Sequence, residues 1–109
     1  MKLTETQKRH LRGLAHHLNP CVQVGSAGIS PGVLTELDGA LAHHELLKIK
    51  VRADNRELRN SIIDELAKRC GATLVSRIGN VAVLYRPDAQ APRLVLPGTG
   101  TAQPRDTRP

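Results

Sequence analysis

Tryptophan and phenylalanine are absent from this 109-residue chain, and Tyr85 is the only residue of the Phe, Trp and Tyr class. Surfaces that hold nucleic acid by stacking its bases need several aromatic rings, so that mode is not expected here. Cysteine is scarce: Cys21 and Cys70 stand alone, with no Cys-x-x-Cys. Each falls on an apolar stripe, so buried free thiols are expected rather than a disulfide. No apolar run approaches the length of a membrane span. The N-terminus is a charged helical pattern without an apolar h-region, so no signal peptide is expected and the chain reads as cytoplasmic. His-Glu-x-x-His is missing, and the pairs His16-His17 and His43-His44 are adjacent. Neighbours on a helix point about 100° apart and chelate one ion poorly, so no metal site is expected.

Catalytic patterns are equally thin. Ser26 has no recognisable base and orienting group, and the carboxylates fall mostly on solvated helix faces. The loop Gly25-Ser26-Ala27-Gly28 lacks the Lys-Ser/Thr ending of a P-loop. No enzyme, cofactor or small-molecule substrate is expected.

What the chain has is positive charge. Sixteen Lys and Arg oppose ten Asp and Glu, for a net charge of +6. That balance suits nucleic acid or, less specifically, an anionic membrane. With aromatics missing, contact with nucleic acid should be electrostatic and directed at the backbone. The length suits one domain with a modest core.

Along the chain, Thr4 and Gln7 form a capping-box pattern, which predicts a helix from Glu5 to the Asn19-Pro20 stop. Its apolar stripe is Leu11, Leu14, Ala15 and Leu18, with Lys8, Arg12 and His16 on another face. Cys21 to Val24 reads as a short strand. Ser30 as N-cap and Pro31 at the first helical position open a second helix. Val33, Leu34, Leu37, Ala40 and Leu41 form its buried face, while Glu36, Asp38 and Glu45 make it acidic. From Leu46 to Arg52 the pattern alternates as a strand, with Leu47, Ile49 and Val51 inward and Lys48, Lys50 and Arg52 outward. A third helix carries Ile62, Ile63, Leu66, Ala67 and Cys70 and stops at Gly71. Thr73 to Ile78 and Val81 to Arg86 form a hairpin whose Gly79-Asn80 suits a type II′ turn. The expected fold is α/β: a compact α-β-α-β-α-β-β domain over residues 1–87 on a four-stranded mixed sheet, two strands of it parallel. Residues 88–109 read as a flexible tail, and those beyond about Arg93 as removable without loss of the fold.

Two features suggest a binding site. A Gly-x-x-Gly loop at Gly25, Ser26, Ala27 and Gly28 lets a bulky partner approach the backbone. The helix N-terminus that follows offers N–H groups and positive dipole to phosphate. A plain strand-to-helix turn is the alternative. Lys48, Lys50 and Arg52 form a stripe of like charges with no acid between them, which an anion would offset. Lys8 and Arg12 form a second basic face, and Arg86 is a further candidate.

Several ordered blocks resemble the CRM (chloroplast RNA splicing and ribosome maturation) domain family, in particular its stand-alone bacterial YhbY-like members. They are Leu11-Arg12-Gly13-Leu14-Ala15-His16, Leu18-Asn19-Pro20 and Val24-Gly25-Ser26-Ala27-Gly28-Ile29. His43-His44-Glu45-Leu46-Leu47-Lys48-Ile49-Lys50 and Gly79-Asn80-Val81-Ala82-Val83-Leu84-Tyr85-Arg86-Pro87 complete them. The resemblance implies a fold similar to the C-terminal domain of translation initiation factor three. It also implies RNA binding through a KH-like Gly-x-x-Gly loop, and a role with ribosomal RNA in large-subunit precursors. Here the loop brings no charge of its own, and Asn80 stands where family members often carry a basic residue. A protein-interaction module docking on a ribosomal protein or assembly factor is the alternative function, favoured by the acidic face of the second helix. The sequence leaves the oligomeric state open.

Overall fold

The computed structural model describes residues 2–25, 27–90, 92, 94, 96 and 97. Side-chain caps define the helix starts. In α1 (Glu5–Ala15), Thr4 Oγ1 accepts from the Gln7 N–H at 3.1 Å, and Gln7 Oε1 accepts from the Thr4 N–H at 3.0 Å. Ser30 Oγ caps α2 (Pro31–His44) through the Val33 N–H, and Asn55 Oδ1 caps α3 (Arg56–Cys70) through the Leu58 N–H. Gly71 closes α3 at φ +65°, a left-handed conformation that costs glycine little.

The strands are β1 (Pro20–Val24), β2 (Leu46–Val51), β3 (Thr73–Ile78) and β4 (Val81–Tyr85). They form one sheet in the order β1-β2-β4-β3, with β1 parallel to β2 and the other pairs antiparallel. The mixed α/β sheet is therefore the expected one. The β3–β4 turn has positive φ at Gly79 and not at Asn80, as a type II′ turn requires.

Both sheet faces bury side chains, against different elements and to different extents. Leu47, Ile49 and Val51 are buried with Val22, Val24, Leu37, Leu41, Ile63 and Leu66 beneath α2 and α3. The opposite face buries Leu46, Val75, Val83 and Tyr85 against Leu3, Leu11 and Ala15 from the α1 end of the chain. Burial of this kind contributes roughly 1.5–3 kcal/mol per large aliphatic side chain. Lys48 and Lys50 share that second face and are half-buried; Arg52 alone of the stripe is exposed.

Three local expectations are corrected. Helix α1 ends at Ala15, four residues before Asn19, so its buried face is Gln7, Leu11 and Ala15. Leu14 is 41% exposed, and Leu18, which lies past the end of the helix, is 38% exposed. Cys21 is exposed, since Val22 and Val24 take the inward positions of β1; Cys70 is buried, and both thiols are free. Glu45 lies beyond the end of α2 at φ +64° and is 1% exposed, so it does not belong to the acidic helix face.

The packed chain also extends past Pro87. Leu96 is buried in the α1-side cluster, with Leu94 against it. Gln7 Nε2 donates to the Pro97 carbonyl at 3.1 Å. The Glu45 carboxylate accepts from the Asp88 N–H at 2.7 Å and the Leu94 N–H at 3.1 Å. Residues 91, 93, 95 and 98–109 of the expected tail lie outside the described residues. A chain ending at residue 93 is expected to melt at least 4–8 °C below one ending at residue 97, the scale of about 1 kcal/mol in a domain of this size. Calorimetry of the two truncations checks this; equal melting temperatures would mean that Leu94 and Leu96 contribute nothing.

Candidate nucleic-acid interface

Strand register gathers the candidate residues at one end of the sheet. Val24, the last residue of β1, lies opposite Val51, the last of β2. The Arg52 N–H donates to the Val24 carbonyl at 2.9 Å, which ties Arg52 to the start of the glycine loop. The Val51 N–H donates to the Asn80 carbonyl at 2.8 Å, which brings the β3–β4 turn to the same end. Parallel pairing of β1 and β2 thus puts the loop, the end of the basic strand and the hairpin tip on one rim.

The loop itself is a tight turn, with the Gly28 N–H donating to the Gly25 carbonyl at 3.0 Å. Gly28 has φ +80°, where an L side chain is strained, and a Cβ at either glycine would meet nothing within 4 Å. Gly28 is thus required by its backbone and Gly25 is not. Ser26 lies outside the described residues, and Ala27 is exposed.

The N-terminus of α2 offers less than its sequence suggests. Pro31 has no N–H, and that of Val33 is taken by Ser30 Oγ. Within the first turn, Gly32 remains as the amide for an incoming anion.

Of the basic candidates, Lys50 and Arg52 stand at the rim and Lys48 lies one row further in, on the face that α1 partly covers. Helix α1 packs on β2 and β3 from that side. Lys8 and Arg12 share one flank of α1, next to the inward-facing Gln7 and Leu11; Lys8 is 3.8 Å from Glu5, and Arg12 is exposed. Arg86 lies elsewhere. Tyr85 pairs with Leu46 at the start of β2, about 17 Å along the strand from Val51. The Arg86 guanidinium donates to Asp38 Oδ1 at 2.6 Å, to the Cys70 carbonyl at 2.8 Å and to the Asp38 carbonyl at 3.0 Å. Arg86 is a clasp between α2 and α3 and is not gathered with the rim.

Two rim residues were not anticipated. Arg56 is the exposed first residue of α3, and Arg59 reaches from its first turns to Asn80 Oδ1 at 3.3 Å. Arg59 Nε is buried and has no partner among the described residues. Cations at a helix N-terminus oppose its dipole, a legible sign that something other than helix stability selects them.

Nucleophilic chemistry finds little support among the described residues. Desolvation pushes the thiols of Cys21 and Cys70 above their ordinary value, away from the reactive thiolate. No three His, Cys, Asp or Glu side chains among the described residues come together as a metal site, and no described helix is long and apolar enough to cross a membrane.

Fold and site together define a small α/β module on a single mixed sheet, with a glycine-turned rim edged by cations. The chain belongs to the CRS1/YhbY (CRM) domain family, whose model matches residues 3–86. It is 46% identical over 95 residues to an RNA-binding protein of Haemophilus influenzae, covering 87% of this chain and 95% of that one. It is 38% identical over 95 residues to the probable RNA-binding protein YqeI of Bacillus subtilis, covering 87% of this chain and 99% of the relative. A Staphylococcus aureus protein solved in solution superposes with a TM-score of 0.76 at 33% identity, over 88% of this chain and all of that one.

Proposed function

We propose that this chain is a non-enzymatic RNA-binding protein that acts in assembly of the large ribosomal subunit. The observation that carries the RNA reading is the single rim: the glycine turn at Gly25–Gly28 bonded through Val24 to Arg52, with Lys50 beside it and Lys48 behind. A turn with no Cβ at its corners admits the sugar-phosphate chain closely, and the adjoining cations attract it. Lys8 and Arg12 add attraction from α1. The names of the relatives support RNA as the partner. The resemblance to stand-alone bacterial family members supports ribosomal RNA of large-subunit precursors, and hence a cytoplasmic, precursor-associated protein. Recognition by RNA shape fits the missing aromatics.

Docking on a protein partner has less behind it. Of the acidic residues that favoured it, Glu45 is buried and Asp38 is paired with Arg86.

The test is salt-dependent affinity for structured ribosomal RNA. Lys50→Ala and Arg52→Ala are each expected to flatten the log–log salt slope by about 0.7–0.9, the value for one lost phosphate contact. Arg86→Ala should leave the slope alone and lower stability by about 1–2 kcal/mol, through loss of charge-assisted hydrogen bonds. If neither rim variant changes the slope, the rim does not hold phosphate and the reading fails.

A further inference from the structure

The sheet face that carries Lys48 and Lys50 is only half covered. Its Leu46–Tyr85 end lies under α1 and the segment bearing Leu96. Toward the rim, Lys48 pairs across the sheet with Val83, which pairs with Ser76; Lys50 pairs with Val81, which pairs with Ile78. Paired residues point to one face, so these side chains lie together. Lys48, Ser76, Ile78, Val81 and Val83 line a groove of about 250 Å³ there. Its floor is aliphatic, and Ile78 at its edge is 77% exposed. Lys48 and Lys50 are half-buried, as expected if their methylene stems lie along the floor with the ammonium groups toward water. The groove runs into the rim, because Gly79 and Asn80 follow Ile78 directly.

We infer that this groove takes an unpaired nucleobase from a single-stranded stretch of the RNA whose backbone the rim holds; the inference rests on the RNA-binding reading above. A base has an apolar face and a polar edge. The face fits a floor of Val81, Val83 and Ile78, the edge finds the Ser76 hydroxyl, and the phosphates on either side meet Lys48 and Lys50. Charge and continuity with the cationic rim select this occupant over an apolar peptide. A duplex is excluded because its bases are paired and stacked inward. The groove needs no aromatic ring, since an aliphatic floor gains from burying the base face. The missing Phe and Trp therefore limit stacking without preventing base contact.

The experiment compares a uridine RNA of about eight nucleotides with an abasic ribose-phosphate oligomer of equal length and charge. The parent is expected to bind the uridine oligomer about five- to tenfold more tightly, the scale of roughly 50 Å² of apolar contact. Ile78→Ser should erase that preference while keeping affinity for the abasic oligomer, the salt slope and the melting temperature. Ile78→Tyr should increase the preference. Equal affinity of the parent for both oligomers, or a preference that survives Ile78→Ser, overturns the groove. The RNA-binding reading stands in that case provided Lys50→Ala still flattens the salt slope. Salt-independent binding of both oligomers and of structured RNA would remove both.

Discussion

Glu45→Ala should destabilise the protein by about 3 kcal/mol and lower its melting temperature by more than about 12 °C. Glu45 is the one buried charged residue among the described residues, and its carboxylate holds the Asp88 and Leu94 N–H groups while its carbonyl accepts from the Arg86 N–H at 2.8 Å. Without the carboxylate two outcomes remain. The segment stays with unpaired amides, at roughly 1–3 kcal/mol for each buried unsatisfied group. Otherwise it lifts off and exposes Leu96, which forfeits a similar amount. The residue also has φ +64° and ψ −46°, a sparsely populated conformation that costs a non-glycine residue roughly 1–3 kcal/mol. Glu45→Gly removes the carboxylate but relieves this strain, so it should be less damaging than alanine by about 1 kcal/mol. Glu45→Gln keeps one acceptor and should fall between the parent and glycine. Chemical denaturation of the three variants gives the order. If alanine and glycine are equal and both lie within 1 °C of the parent, the carboxylate does not hold the segment.

Gly25→Asp should reduce affinity for structured ribosomal RNA by at least about tenfold with the fold intact. A carboxylate about 4 Å from a phosphate costs roughly 1–4 kcal/mol between bulk-water and protein-surface screening, and the side chain also blocks close approach. The backbone of Gly25 does not need positive φ, and a Cβ there meets nothing within 4 Å, so stability should change little. Gly28 differs. Its φ of +80° makes Gly28→Ala destabilising by about 1 kcal/mol, and Gly28→Asp should lose both affinity and stability. Gly25 is thus the cleaner probe of the loop. Binding across a salt series, with circular dichroism as the folding control, separates the roles. Charge contacts such as Lys50 should change the slope, whereas Gly25→Ala should change affinity with little change in slope. If folded Gly25→Asp binds RNA like the parent, the loop is only a turn, and docking on a protein partner becomes the better reading.

The correct local expectations share a cause. Thr4 and Ser30 cap helices through bonds to residues three positions on. The inward alternation of Leu47, Ile49 and Val51 is a property of one strand, and the Gly79 turn is set by two residues. Each depends on interactions that a short window contains. The family was legible for a related reason: its motifs are short ordered blocks, and the matching segment ends at residue 86. The candidate site was legible as a set of residue types. Its membership was not, because Lys50, Arg52 and Arg59 come to one rim through strand pairing and a hairpin.

By itself, then, the sequence determined the helices and strands, the mixed α/β class, the family, and the excess of positive charge, all of which follow from periodicity, capping and composition. Tertiary structure decided which cations stand beside the loop. Arg86 matched the rest in charge, yet Asp38, 48 positions away, holds it at the other end of the sheet. It decided that Glu45 is a buried acceptor for amides 43 and 49 residues later, and that Leu96 belongs to the core. Such contacts join distant segments whose local patterns are ordinary. Loop closure and packing select them, and neither leaves a periodic trace in the chain.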